Sequence, residues 1–144
     1  MKVTRVARVP PPTVPMTVTV KEAILEMRRD RGCAVAVVDG SRLAGTVSMQ
    51  EVLMRVVAKG RDPAATPVGE VMTSSPEAVT VDTDTEEALK LMVSLNQCHL
   101  PVVNQKGEIK GWLVLCQLVE NQVEDLSHQL DSVHSYIAAD GPGG

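Results

Sequence analysis

Apolar and polar positions along this chain fall into helix-spaced stripes that alternate with short unbroken apolar runs. Over about residues 21–31, Ala23, Ile24 and Met27 share one helical face, and Gly32 supplies the stop. Cys33-Ala34-Val35-Ala36-Val37-Val38 is a continuous apolar run of strand length, Asp39-Gly40-Ser41-Arg42 is a turn, and 43–47 reads as the partner strand of a hairpin. A helix over about 49–59 follows, with Val52, Leu53, Val56 and Val57 as its stripe. After a connector rich in Gly and Pro the order begins again. Residues 79–81 read as a strand, and Asp84 with Glu87 three positions later predicts a capping box opening a helix with Ala88, Leu91, Met92 and Leu95. A strand at 98–103, a turn at 104–108, a second strand at 109–114 and a helix from about 115 complete the second copy.

The repetition is measurable. Pro11/Pro76, Val14/Val79, Glu22/Glu87, Ala23/Ala88, Met27/Met92, Cys33/Cys98, Val37/Val102 and Val38/Val103 all differ by 65, whereas Gly45/Gly111 differ by 66, which places one extra residue in the second hairpin turn. The fold class expected is therefore α/β (α+β), with two strand-helix-strand-strand-helix units packed about a pseudo-two-fold axis and a long C-terminal helix. Units this small are hard to stabilise singly, and the crevice between them is the natural place for a ligand. The chain divides into an N-terminal arm at 1–9, repeat 1 at 10–60, a linker at 61–67, repeat 2 at 68–124, a helical extension at 125–140 and a flexible end at 141–144. Four prolines, Pro10, Pro11, Pro12 and Pro15, make the start of the chain an extended arm or edge segment rather than a helix.

Composition narrows the function. The chain has no Phe, one Trp and one Tyr, so aliphatic residues and Met must fill the core, and base stacking is an improbable trade. A formal net charge of -4, with both signs interspersed, argues against nucleic acid, although Lys2, Arg5 and Arg8 make the start locally basic. No apolar run is long enough for a membrane span or a signal peptide, so a cytoplasmic protein is expected. Cys33, Cys98 and Cys116 are odd in number and lie in apolar runs, which predicts buried free thiols rather than a disulfide, a zinc site or a nucleophile. His128 and His134 do not share a helical face at ligand spacing, and no phosphate loop, nucleophile elbow or carboxylate dyad occurs, so neither a metal nor catalysis is expected.

The chemistry concentrates at Gly45-Thr46-Val47-Ser48-Met49-Gln50-Glu51, where a strand turns into a helix with a hydroxyl at the corner and a carboxylate three residues on. Ser-x-x-Glu is a capping box, and a helix start of this kind can equally offer its free N–H groups to an anion. Both readings stand on the residues alone. The corresponding corner, 111–117, has Val114 for the hydroxyl and Gln117 for the carboxylate.

With Val68-Gly69-Glu70-Val71-Met72-Thr73 like a repeat entry, His99-Leu100-Pro101-Val102-Val103-Asn104, and the two corners in this order, the chain resembles a tandem pair of cystathionine-β-synthase (CBS) domains, the regulatory Bateman module, over about residues 10–123. The resemblance implies a module that is not an enzyme. It binds an adenine nucleotide (AMP, ADP or ATP) or an adenosyl ligand such as S-adenosylmethionine between the repeats, and it regulates an effector protein, here in trans. It further implies that Ser48 approaches the phosphate and Glu51, in the place of the family's Asp, accepts from the ribose. Gly45, the strand residues Ala34 and Ala36, and His99 and Pro101 of the second repeat complete the expected ligand set. His99 alone could as well be a packed strand histidine.

Val119, Val123, Leu126, Leu130, Val133 and Ile137 are spaced 4, 3, 4, 3 and 4, a heptad seam on a helix that outruns repeat 2. The seam either folds back over its own domain or joins a homodimer or partner helix. An adaptor that has lost its ligand and dimerises through the repeat helices and this seam is the alternative to a ligand sensor.

Overall fold

The computed structural model describes residues 1–139; the expected flexible end at 141–144 and the final position of the extension, 140, lie outside the described residues. In repeat 1, β1 (Thr13–Pro15) leads to α1 (Val20–Asp30), then to β2 (Ala34–Asp39), β3 (Arg42–Ser48) and α2 (Met49–Val52), which widens into a π-helical stretch, Leu53–Val57. Repeat 2 runs β5 (Val79–Thr80), α3 (Thr85–Leu95), β6 (His99–Val103), β7 (Ile109–Val114) and α4 (Leu115–Ala139), with a two-residue strand β4 (Thr73–Ser74) between the repeats. The sheets have orders β1-β2-β3-β4 and β5-β6-β7, so the expected two-unit α+β architecture forms.

Local signals account for the elements. In α1, the Thr19 hydroxyl accepts from the Glu22 N–H at 3.2 Å while the Glu22 carboxylate accepts from the Thr19 N–H at 2.9 Å, a reciprocal cap. The helix ends with Arg31 in the left-handed region at φ 57°, and α3 ends the same way at Asn96. Gly40, at φ 63°, allows the two-residue hairpin turn between β2 and β3.

The two cores exchange segments. Val68 and Val71 join Val20, Val35, Val37 and Val47 in the core of repeat 1, whereas Val3 packs with Ala88, Met92, Leu100 and Leu113 in the core of repeat 2. The backbone repeats this exchange: the Val20 N–H donates to the Thr66 carbonyl at 2.9 Å, and the Thr85 N–H donates to that of Met1 at 2.8 Å. Residues 1–9, the expected N-terminal arm or edge segment, pack on repeat 2. Val3–Arg5 form a 3-10 turn, Val3 is fully buried, and Arg8 exchanges backbone hydrogen bonds with Trp112 as Thr73 and Ser74 of β4 pair with β3. The prolines that argued against a helix begin only at Pro10, after this turn.

Three further expectations need correction. Asp84 stands at the start of α3 but makes no side-chain cap; its carboxylate turns to Lys2 Nζ at 3.2 Å, because the docked N-terminus brings a cation there and the Met1 carbonyl takes the Thr85 N–H. Among the apolar stripes, Val52 and Val56 are buried but Leu53, Val57 and Ile24 are exposed, since one i, i+4 row covers the sheet and the row one residue further on turns outward. The cysteines are free, yet only Cys33 is half-buried while Cys98 and Cys116 are exposed, each lying at an element end rather than inside one.

Candidate functional site

The corner that the sequence singles out is built by β3 and α2. Ser48 has extended backbone (φ -115°, ψ 170°), which ends the strand, and its carbonyl side is the helix start. The Glu51 carboxylate folds back to accept from the Ser48 N–H at 2.9 Å and from the Ser48 hydroxyl, and its other oxygen accepts from the Thr73 hydroxyl at 2.8 Å. The Glu51 N–H reaches the Ser48 hydroxyl at 3.5 Å. The capping box is therefore formed, and its carboxylate also ties β4 to α2. Burial pushes the Glu51 carboxyl up, but the hydrogen bonds from Ser48 and Thr73 outweigh it and hold the group below the usual range.

Facing this corner across the repeat boundary is β6. A cleft of about 330 Å³ opens between the two, within the size range of small-molecule sites. Ala34, Ser48 and Glu51 line it from repeat 1, and His99, Pro101 and Trp112 from repeat 2. Two expected members lie elsewhere. Ala36 is fully buried with Ala34 and Trp112 in the small apolar cluster that joins the repeats. Gly45 faces β4: a Cβ on it would stand 2.6 Å from both the Thr73 carbonyl oxygen and the Met72 sulfur, so its smallness serves strand approach. At the second corner, Val114 ends β7, and Gln117 lines a shallow groove with Val6 and Glu124 rather than the cleft.

Composition alone does not mark Trp112 as a cleft residue. It is 1% exposed and its ring stacks on His99 with centroids 5.7 Å apart and planes 21° from parallel. On its other side His99 Nε2 lies 2.8 Å from the Cys33 sulfur. Burial lowers the His99 pKa against a smaller upward pull from Glu51, and burial, with Cys98 and Cys116 nearby, raises the Cys33 thiol. Both groups are thus neutral at pH 7, and His99 is a ring held between an indole and a thiol. The repeat pairing of Trp112 with Thr46, a cleft-lining residue of the first corner, is the signal that could have located it.

The two shifted groups give a pH prediction. Both native pKa values are lowered, so each contributes stability that is complete above its ordinary value, 6.5 for His99 and 4.5 for Glu51, and that disappears as pH falls through the native one. Urea unfolding is expected to show stability declining below pH 6.5 and again below pH 4.5. His99→Gln should remove the first decline and Glu51→Gln should reduce the second, to which Glu108, held low by Asn104 and Ser41, also contributes; an unchanged profile in either variant would refute that assignment.

Among the described residues no helix is long and apolar enough to cross a membrane, and no group of three or more His, Cys, Asp or Glu is placed to hold a metal ion. Comparison with known proteins matches this geometry. The CBS domain family profile fits residues 3–58 and 68–124. The CBS domain-containing protein CBSCBSPB1 of Arabidopsis thaliana is 37% identical over 106 residues, covering 74% of this chain and 19% of its own length. A putative signal-transduction protein with CBS domains from Burkholderia ambifaria superposes with a TM-score of 0.77 at 30% identity, covering 87% of this chain and 96% of that one. A CBS domain protein from Pyrobaculum aerophilum, solved in complex with AMP, superposes with a TM-score of 0.74 at 26% identity over 81% of this chain and 89% of that one. The chain spans between 19% and 60% of the length of the first three curated relatives it matches. Two profile matches that together cover well over half of the chain, on two units that exchange segments around one cleft, place this protein in the CBS domain family as a tandem pair.

Proposed function

We propose that the protein is a regulatory, non-catalytic module that takes an adenine nucleotide, or an adenosyl ligand such as S-adenosylmethionine, into the inter-repeat cleft at the Ser48 corner. One observation carries this reading: the cleft combines an apolar lining of Ala34, Pro101 and Trp112 with the hydroxyl and carboxylate of Ser48 and Glu51. An adenine ring suits the first and a ribose phosphate the second. The AMP held by the Pyrobaculum relative supports the choice of ligand class. Binding would shift the population of module geometries by as much as its affinity differs between them, and α4 would pass the shift to a second copy or an effector in trans.

Calorimetric titration with AMP, ADP, ATP and S-adenosylmethionine tests the proposal. At least one is expected to bind, and Ser48→Ala to weaken it about tenfold or more, the loss of one hydrogen bond to a charged group. Because Ser48 also caps α2, thermal melting of the same variant separates lost folding from lost binding. Failure of all four ligands to bind the intact chain would overturn the proposal.

A second reading has its own support. Glu51 already takes three hydrogen bonds within the chain, which suits a ligand-free adaptor that works through association.

A further inference from the structure

α4 continues well past its buried residue Leu118, and the seam along it is uncovered. Val119 is 44% exposed, Leu126 62%, Leu130 57% and Ile137 59%, so the helix does not fold the seam onto its own domain. In heptad terms Val123, Leu130 and Ile137 occupy a and Val119, Leu126 and Val133 occupy d. The flanking e positions are then Glu120, Ser127 and His134, and the g positions are Gln122, Gln129 and Tyr136.

We infer that α4 pairs with α4 of a second copy of this chain in an antiparallel coiled coil. The inference deepens the association reading above and does not depend on the ligand. An antiparallel arrangement packs a against d, and a single register aligns the whole seam. Leu126 meets Leu130 of the second copy, Val123 meets Val133 and Val119 meets Ile137, each twice by symmetry. The same register sets e against e, which places the Glu120 carboxylate beside the His134 imidazole of the second copy at both ends, with Ser127 facing itself at the centre. It sets g against g, so that Tyr136 faces the Gln122 amide.

A parallel pair has no such match. There e faces g, so Gln122 meets Ser127 and Gln129 meets His134, and Glu120 finds no complementary group. The remaining acids of the helix, Glu124, Asp125 and Asp131, fall at b and c, away from the contact in either arrangement, so the absence of Lys and Arg from α4 does not set one copy against the other. Antiparallel helices also oppose their dipoles favourably.

The full chain is the test object. Light scattering behind size exclusion is expected to give a dimer, and Leu126→Asp to give a monomer with unchanged circular dichroism, because Leu126 is exposed within one chain. For orientation, cysteines are introduced after the exposed Cys98 and Cys116 are replaced by serine. A mixture of Val119→Cys and Ile137→Cys chains is expected to form the mixed disulfide on mild oxidation. Val119→Cys alone should not link to itself, since the two copies of position 119 stand about 27 Å apart along antiparallel helices. With the native cysteines in place, Glu120→Lys should weaken dimerisation about fivefold at low salt, and adding His134→Glu should restore it. A monomer at all concentrations, a Val119→Cys homodimer, or a charge swap without rescue would each overturn the inference.

Discussion

Trp112→Ala is expected to cost about 3–5 kcal/mol of folding stability, the range for truncating a buried large aromatic. That is a large part of the roughly 5–15 kcal/mol a domain of this size possesses. Trp112 is the one large aromatic in the described core, and it lies where three surfaces meet. It packs with Ala34 and Ala36 across the repeat boundary, stacks on His99, and has Arg8 of the docked N-terminal segment as its backbone partner. The two alanines opposite the indole are too short to fill the space it leaves, and Leu43, Ile109 and Val114 only border the cluster. The loss should therefore persist after relaxation, and urea unfolding measures it. A loss under about 1 kcal/mol would mean that the two repeats close over the gap, and that the cluster does not hold them together. On the proposed function, a stable variant should also bind adenine nucleotide more weakly than the parent, because the indole lines the cleft.

Gly45→Ala is expected to cost about 1–3 kcal/mol, although it adds only one methyl group where β3 meets the edge strand β4. The added Cβ would stand 2.6 Å from the Thr73 carbonyl oxygen, and backbone cannot swing aside as the Met72 side chain can. Strand β4 must then move off β3. Its displacement would take the Thr73 hydroxyl from the Glu51 carboxylate, so the acid limb of the stability profile should move to higher pH along with the drop in stability. Thr73→Val separates the two effects, because it deletes the hydroxyl without crowding the strands. If Gly45→Ala melts like the parent protein, the close approach of β3 and β4 is not what requires glycine here.

These two residues also mark how far the sequence can be read. Gly45 stood out as part of a corner pattern, and its place on β3 follows from the strand predicted at 43–47. Its task does not, because the atoms that crowd it belong to Met72 and Thr73, in a segment that the linear order places at the entry to the other repeat. Trp112 was visible only as one of two aromatics. Its partners, His99 on β6 and Ala34 and Ala36 on β2, come from both repeats and are brought together only by packing. The Ser48–Glu51 cap, by contrast, spans four residues and was legible as one of two readings, whereas the same reasoning failed at Asp84 because Lys2, 82 positions away by number, competes for its carboxylate.

The sequence by itself determined what depends on neighbours along the chain: the helix and strand periods, the 65-residue repetition, the capping corner and the apolar seam at 119–137. Even the docking of the N-terminus had a trace there, since Val3 and Val6 stand 65 residues before Val68 and Val71. Only the tertiary structure decided which segment completes which core, that residues 1–9 are packed rather than free, that Ala36 and Gly45 stand outside the cleft, and that the seam faces away from its own domain. The reason is physical. Local hydrogen bonds and side-chain periodicity are properties of a few consecutive residues, whereas burial is set by whatever surface the rest of the chain brings against them, and in a pseudo-symmetric pair each half presents two nearly equivalent surfaces to choose from.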